Sequence, residues 1–150
     1  MNRRVFSGFA ALIVLVGSAT AGAADAPVVS QAWARATAPG IDVGAVYLTI
    51  EGGARDDTLV SASTARAAMV HLHTVEESSG VARMRAVDGV AVPAGRRVVL
   101  APKGTHIMLM GLVAPLVAGE SFPLALRFAS AGERSVTVVV RPAGADAPKP

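Results

Sequence analysis

Hydrophobic residues occupy alternate positions through much of this chain, which is the period of a β-strand with one buried face. The alternation is clearest in three segments, 45–50, 122–128 and 136–140. Less regular runs indicate six more strands: Val28–Arg35, Asp57–Ser63, Met69–Val75, Val81–Val87, Arg97–Leu100 and His106–Leu112. No stretch after residue 24 has a convincing helical period.

Glycine and proline fall between these segments, for example at Pro39-Gly40 and Gly52-Gly53, and such residues mark turns. Eight or nine short strands joined by regular turns predict an all-β fold. A β-sandwich or barrel with Greek-key connections is the expected architecture. The Pro/Ala-rich stretch 142–150 is expected to be a disordered tail.

The first 24 residues have the pattern of an export signal. Two arginines precede the apolar run 9–16, and small residues follow it. The run is shorter than the roughly 20 residues that span a bilayer. We therefore expect cleavage near Ala23 or Ala24, a periplasmic location, and one domain from residue 25 to 141. An uncleaved membrane anchor is the alternative, and Sec and twin-arginine export both remain open.

Composition excludes several classes of function. The signal carries two of the 14 basic residues, so 12 remain against 11 acidic ones, and nucleic-acid binding has no electrostatic support. The chain has no cysteine, which excludes disulfides, blue-copper sites and thiol redox chemistry. The sequence also shows no nucleophile–base pattern or paired carboxylates, so we do not expect an enzyme.

Potential metal ligands are concentrated in one part of the chain. After the signal, the three histidines and four methionines all lie between residues 69 and 110. Side chains of a strand alternate between its two faces. The ligands therefore share one face in each of two strands: Met69, His71 and His73 in the first, and His106, Met108 and Met110 in the second.

The predicted hairpin between the strands of His73 and Met84 suggests a specific site. A four-residue turn over 77–80 would place His73 opposite Met84, with Cβ atoms ~5 Å apart. His106 and Met108 would supply the other half. Thioether sulfur favours Cu(I), imidazole suits copper, and zinc sites rarely use methionine. The four residues are therefore candidate Cu(I) ligands.

Other interpretations of the same residues stay open at this point. Single methionines usually fill cores, and this role is favoured for Met69. Met110 fits a core position and a position beside the site equally well. His71 fits a surface position or a place beside the site better than a ligand role. A metal-free partner surface would also explain the pattern.

The spacing of the four candidates resembles the signature of the PCuAC family of periplasmic copper chaperones. Ten residues separate the first two, twenty-one separate the next two, and one separates the last two: His73, Met84, His106 and Met108. Segments 81–95 and 103–112 resemble the family's "MR…PAG" and "GGxHxMLxGL" motifs. Segments 32–36 and 45–50 resemble its first two strands, so the similarity covers about Val28 to Val140.

The resemblance implies a cupredoxin-like Greek-key β-sandwich that binds one Cu(I) per chain through those four residues. It also implies a metallochaperone that delivers copper to the CuA centre in subunit II of cytochrome c oxidase, with a Sco-type thiol protein as a further partner. We also expect a monomer with no nucleic-acid partner and no membrane span after cleavage. The alternatives are a periplasmic copper-buffering or resistance protein and a metal-free β-sandwich interaction module.

Two features depart from the family pattern. The family often has an acidic residue two positions before the first ligand, where this chain has His71. A third imidazole there could raise affinity or capture Cu(II). The tail contains no histidine or methionine, so we predict no second copper site in it.

Overall fold

The strands of the protein were assigned in a computed structural model that describes residues 25–148. The expected export signal and residues 149–150 lie outside the described range. Ten strands are present within it: β1 Val28–Arg35, β2 Val43–Glu51, β3 Asp57–Ser63, β4 Ala67–Ser78, β5 Val81–Ala86, β6 Val90–Val92, β7 Arg97–Leu100, β8 His106–Leu112, β9 Ser121–Phe128 and β10 Gly132–Arg141.

The predicted all-β class is confirmed, with ten strands in place of eight or nine. The additional strand, β6, has three residues and lies between Gly89 and Pro93, so it is too short for its alternation to stand out in the sequence. No α-helix occurs among residues 25–148. Within the same residues, no helix has the length and apolar character needed to cross a bilayer.

The strands form one hydrogen-bonded sheet in the order β5-β4-β8-β2-β1-β10-β9-β3-β6, with β7 paired to the second half of β2. The pairing of β1 with β10 is parallel and the other pairings are antiparallel. Because the order ends at β5 and β6, the sheet is not a closed barrel. The ligand-bearing strands β5, β4 and β8 lie together at one end.

The sheet folds over so that its two ends share one hydrophobic core. Leu59 of β3 and Leu126 of β9 are fully buried in the same cluster as Ile107 and Leu109 of β8. Burial of such side chains is the main favourable contribution to folding, at about 25 cal/mol per Å² of apolar surface. This core holds β8 in place and thereby supports the face that carries the histidines and methionines.

Part of the stretch after β10, for which a disordered tail is expected, contacts the sheet. Arg35 donates a hydrogen bond to the Ala145 carbonyl over 3.0 Å, and Arg141 donates to the carbonyl of Asp146. Both guanidinium groups also lie over the ring of Trp33, within 6 Å of its centroid. The two arginines therefore hold the backbone at Ala145 and Asp146 close to the sheet.

Candidate metal centre

The register of β4 and β8 brings the histidines and methionines together in pairs. In this register His73 lies directly opposite His106, His71 lies opposite Met108, and Met69 lies opposite Met110. In an antiparallel sheet, opposed side chains lie on the same face with Cβ atoms about 4.5–5.5 Å apart. Three successive cross-strand pairs therefore consist entirely of potential metal ligands.

The opposite face of these strands belongs to the core. Leu72, Ile107 and Leu109 alternate with the ligand residues and are 0–4% exposed. This burial confirms the predicted alternation of faces. His106 lies on the ligand face but is only 5% exposed, since the rings of Tyr47 and His73 lie near it, with centroids 6.3 and 5.9 Å away.

The predicted register of the β4–β5 hairpin is wrong. The turn has two residues, Ser79 and Gly80, with φ of 53° and 76°, and two positive φ values are characteristic of the tight turn that matches strand twist. Met84 therefore faces Val75, and His73 faces Ala86. The shift of two positions retains the face, because side chains repeat with a period of two.

Met84 remains within reach of the candidate site despite this shift. It is diagonal to His73, where Cβ atoms are about 7–8 Å apart, a distance that a long side chain spans. Met84, His106 and Met108 line one depression together with Tyr47 and Lys103. Met84 is 54% exposed on the edge strand, so it forms the open side of the site.

The local structure before β8 orients the His106 ring. Lys103 adopts a left-handed conformation (φ 69°), and Ala101 and Thr105 are hydrogen-bonded across the turn. The turn presents the Gly104 carbonyl to His106 Nδ1 at 2.9 Å. Because a carbonyl only accepts, Nδ1 carries the proton and Nε2 keeps its lone pair. A hydrogen bond of this kind commonly orients a histidine that binds metal.

His73 has a different environment. Its Nδ1 atom is buried and has no hydrogen-bond partner among residues 25–148. Burial, and then the nearby charges of His106 and His71, hold the pKa of His73 below its ordinary value. The imidazole is therefore neutral near pH 7, which is the form that binds metal. Buried nitrogens without a protein partner are rare in native proteins, where a bound ion or an ordered water satisfies them.

The remaining candidates lie further along the same face. His71 is exposed, and its ring is 6.2 Å from that of His73 in an edge-on arrangement. Met110 is half-buried. Met69 is 54% exposed, so the expectation that it fills the core is wrong. Its side chain lies outside the hydrophobic cluster, on the face that carries His71 and His73.

Sequence reasoning missed Tyr47 and Lys103 as residues that line the depression. Tyr47 had a signal in the sequence, since it alternates with Val46 and Leu48, which both enter the core. Lys103 had no such signal in the sequence, because its place depends on the turn.

Groups of three or more His, Asp or Glu side chains arranged to hold a metal are absent from the described part of the chain.

Comparisons with known proteins agree with this architecture. The family model described as "Putative lipoprotein LpqE-like" matches residues 28–140. A protein of Leifsonia xyli subsp. xyli (strain CTCB07), named "Putative lipoprotein Lxx21020", is 39% identical over 121 residues, which cover 79% of this chain and 71% of that protein.

Solved structures with a similar fold include PCuAC domains. The copper-bound PCuAC domain from PmoF2 has a TM-score of 0.68 at 23% identity, covering 81% of this chain and 97% of that domain. The solution structure of CuI-DR1885 from Deinococcus radiodurans has a TM-score of 0.63 at 30% identity, covering 83% of each chain. The apo-DR1885 structure has a TM-score of 0.62 at 28% identity and covers 95% of this chain and 97% of that one. The chain therefore belongs to the LpqE-like family, whose sandwich is of the PCuAC type.

Proposed function

We propose that this protein is a copper chaperone that binds one Cu(I) through His73, Met84, His106 and Met108. The observation that carries the proposal is the direct opposition of His73 and His106. Each imidazole has one nitrogen without a protein partner, and Met84 and Met108 lie on the same sheet face. Met84, His106 and Met108 thus line one depression, and His73 lies directly opposite His106 on the neighbouring strand.

The chemistry of this donor set fits Cu(I). All four ligands are neutral and two are soft sulfur donors, which suits a soft monovalent cation and disfavours calcium or magnesium. Thioethers also resist the oxidation to disulfides that thiols undergo in an oxidising compartment. His106, oriented by Gly104, and His73, within a rigid strand, would form the fixed half of the site, and Met84 the exposed half.

The comparisons support copper as the cargo. Two of the similar structures contain copper by their own description, the PCuAC domain from PmoF2 and CuI-DR1885. The second is 30% identical to this chain. The family and its relative are both named as lipoproteins, which supports export and therefore a periplasmic site of action.

The exposure of Met84 suggests how copper leaves. Because this ligand lies on the edge strand β5, a partner can approach it and replace it before the other three ligands are displaced. Transfer by exchange of one ligand at a time requires no catalysis, so the protein would act stoichiometrically and as a monomer. The CuA centre of cytochrome c oxidase, reached directly or through a Sco-type protein, is the proposed recipient.

The test is an anaerobic Cu(I) titration of the purified protein against a competing chelator, with the Met84→Leu/Met108→Leu variant beside it. Leucine conserves volume and removes the sulfur. We expect one tight site in the wild type and a loss of affinity of at least about 100-fold in the variant. A folded wild type that binds no Cu(I) would exclude the proposal. If copper binding is established, oxidase activity in a deletion strain would test the proposed recipient.

A further inference from the structure

The ligand face extends beyond the four residues of the proposed site. Every histidine and methionine of residues 25–148 lies on this one face of β4, β5 and β8. Three of them, Met69, His71 and Met110, take no part in the proposed site. They occupy the next two cross-strand positions, where His71 faces Met108 and Met69 faces Met110.

Core packing does not explain these three residues. Met69 is 54% exposed and His71 is also exposed, so neither contributes to the buried cluster. Met110 is only half-buried and is flanked by Met69 on one side and by Val43 of β2 on the other. Isolated exposed hydrophobic side chains are common, but here a thioether is directly opposite another thioether and next to an imidazole.

We propose that Met69, His71 and Met110 form a second, weaker Cu(I) position on the same face. The proposal rests on the proposed function, since it assumes the same metal. The opposed methionines have Cβ atoms about 4.5–5.5 Å apart, and His71 is two residues from Met69, which is about 7 Å along the strand. Two thioethers and one imidazole form a three-coordinate set of neutral, soft donors suited to Cu(I).

This position should bind more weakly than the first. Its ligands are more exposed, so water and solutes compete for the ion. It also has three donors, and none of them is a buried nitrogen that lacks a partner, as His73 Nδ1 is. The second position is therefore expected to fill only after the first.

The two positions are connected through Met108. This residue is opposite His71, between the Met69–Met110 pair and the His73–His106 pair. A copper ion held at the outer position could exchange one ligand at a time onto Met108 and then onto the histidines. The face would thus form a continuous track from an exposed end at Met69 to the buried His106.

The experiment is an anaerobic titration of the purified protein with Cu(I) at two strengths of competing chelator. We expect the wild type to take up two ions in distinguishable steps. In Met69→Leu/Met110→Leu the second step should weaken by about tenfold or more, while the first is unchanged. Met84→Leu/Met108→Leu is the matched variant, because it carries the same chemical change elsewhere on the same sheet face and should lose the first step.

A second measurement uses only the wild type, so it does not depend on whether the variants fold. It follows the signal of each methionine separately. With ¹³C-labelled methionine methyl groups and Ag(I) as a redox-inert soft ion, the Met84 and Met108 signals should move with the first equivalent. The Met69 and Met110 signals should move with the second. These paired shifts would support the proposal without any substitution.

The outcomes separate this proposal from the proposed function. Suppose that the wild type binds one Cu(I), that only Met84→Leu/Met108→Leu loses it, and that the Met69 and Met110 signals do not move. This result would overturn the second position and leave the proposed chaperone function standing. Weakening of the first step in Met69→Leu/Met110→Leu would also overturn it, since those residues would then belong to a single site. Absence of any Cu(I) binding by folded wild type would overturn both.

Discussion

At the scale of single residues, the two opposed histidine rings, His73 and His106, differ in what surrounds their Nδ1 atoms. His106 is oriented by a hydrogen bond from Nδ1 to the Gly104 carbonyl. His73 has no such partner, and burial keeps its Nδ1 away from water. The hydroxyls of Thr74 and Thr105, 3.1 Å apart, connect the strand of His73 to the turn before His106. The pair is therefore positioned before any metal binds, which reduces the entropic cost of binding.

The low pKa of His73 makes the stability of the metal-free protein depend on pH. Burial first, and then the charges of His106 and His71, lower this pKa in the folded state, while the unfolded value is about 6.5. Between these two values the unfolded state binds more protons, so the free energy of unfolding should fall as the pH drops below about 6.5. Below the folded pKa of His73 this contribution should level off.

Denaturant unfolding of the metal-free protein from pH 8 to 5 measures this effect. His73→Gln removes the titrating group and should flatten that part of the profile. His71→Gln, the same change at an exposed position, should retain most of it. An identical slope in wild type and His73→Gln would show that the histidine is not perturbed as described.

At the scale of elements, the β4–β5 hairpin determines where the exposed ligand lies. Its two-residue turn at Ser79-Gly80 sets the register that pairs Met84 with Val75. A turn of another length would move Met84 along the strand or onto the other face. Glu76 and Arg85 form an ion pair across this hairpin, but both are exposed, so the pair contributes little. The length and conformation of the turn therefore determine most of the β4–β5 register.

Gly80→Ala is expected to destabilise this hairpin and with it the proposed copper site. The glycine has φ of 76°, and a Cβ there would meet nothing within 4 Å, so the cost is backbone strain of about 1 kcal/mol. Gly144→Ala is the matched control, because it is equally open and has no positive φ. Thermal unfolding and Cu(I) titration should show lower stability and a several-fold weaker first step in Gly80→Ala only. Equal behaviour of the two variants would contradict this role of the turn.

At the scale of the whole molecule, the carboxylate of Asp57 connects the start of β3 to the β9–β10 turn. It accepts backbone hydrogen bonds from Thr58, Ser130 and Ala131 at 2.8–2.9 Å. Burial alone would raise its pKa, but these three N–H groups and the charge of Arg134 outweigh burial and lower it. In the strand order, this connection lies at the end of the sheet away from β5, β4 and β8, which carry the proposed copper ligands.

Asp57→Ala should lower the free energy of unfolding at pH 7 by about 1–3 kcal/mol, because it removes three hydrogen bonds between backbone N–H groups and a charged carboxylate. Since the folded pKa of Asp57 is depressed, its contribution is present above the unfolded value near 3.9 and is lost as pH falls through the folded pKa. The difference from wild type should therefore shrink in acid.

Chemical denaturation at pH 7 and in acid checks this prediction. The control is Asp88→Ala, an exposed carboxylate whose side chain makes no hydrogen bond within the described residues. It should unfold like wild type at both pH values. A difference between Asp57→Ala and wild type that stays constant into acid would show that the carboxylate is not the stabilising group.

Much of the fold and of the candidate site was predictable, because alternation is a property of neighbouring residues. The period-two pattern identified nine of the strands and the shared face of His73, His106 and Met108. It failed for β6, since three residues are too few to define a period. The core role expected for Met69 was wrong for another reason, since it rested on the usual role of methionine, whereas the alternation itself had placed Met69 on the face of His71 and His73.

Two kinds of information are therefore separable in this protein. The sequence by itself determined the strand class, the absence of thiolate chemistry and the set of soft ligands, because these depend on residue type and local spacing. The tertiary structure alone decided that His73 faces His106, that Met84 is diagonal to His73, and that Met69 faces Met110. The pairing of β4 with β8 arises from contacts between residues far apart in the chain, and the β4–β5 register depends on the backbone conformation of the turn at Ser79-Gly80.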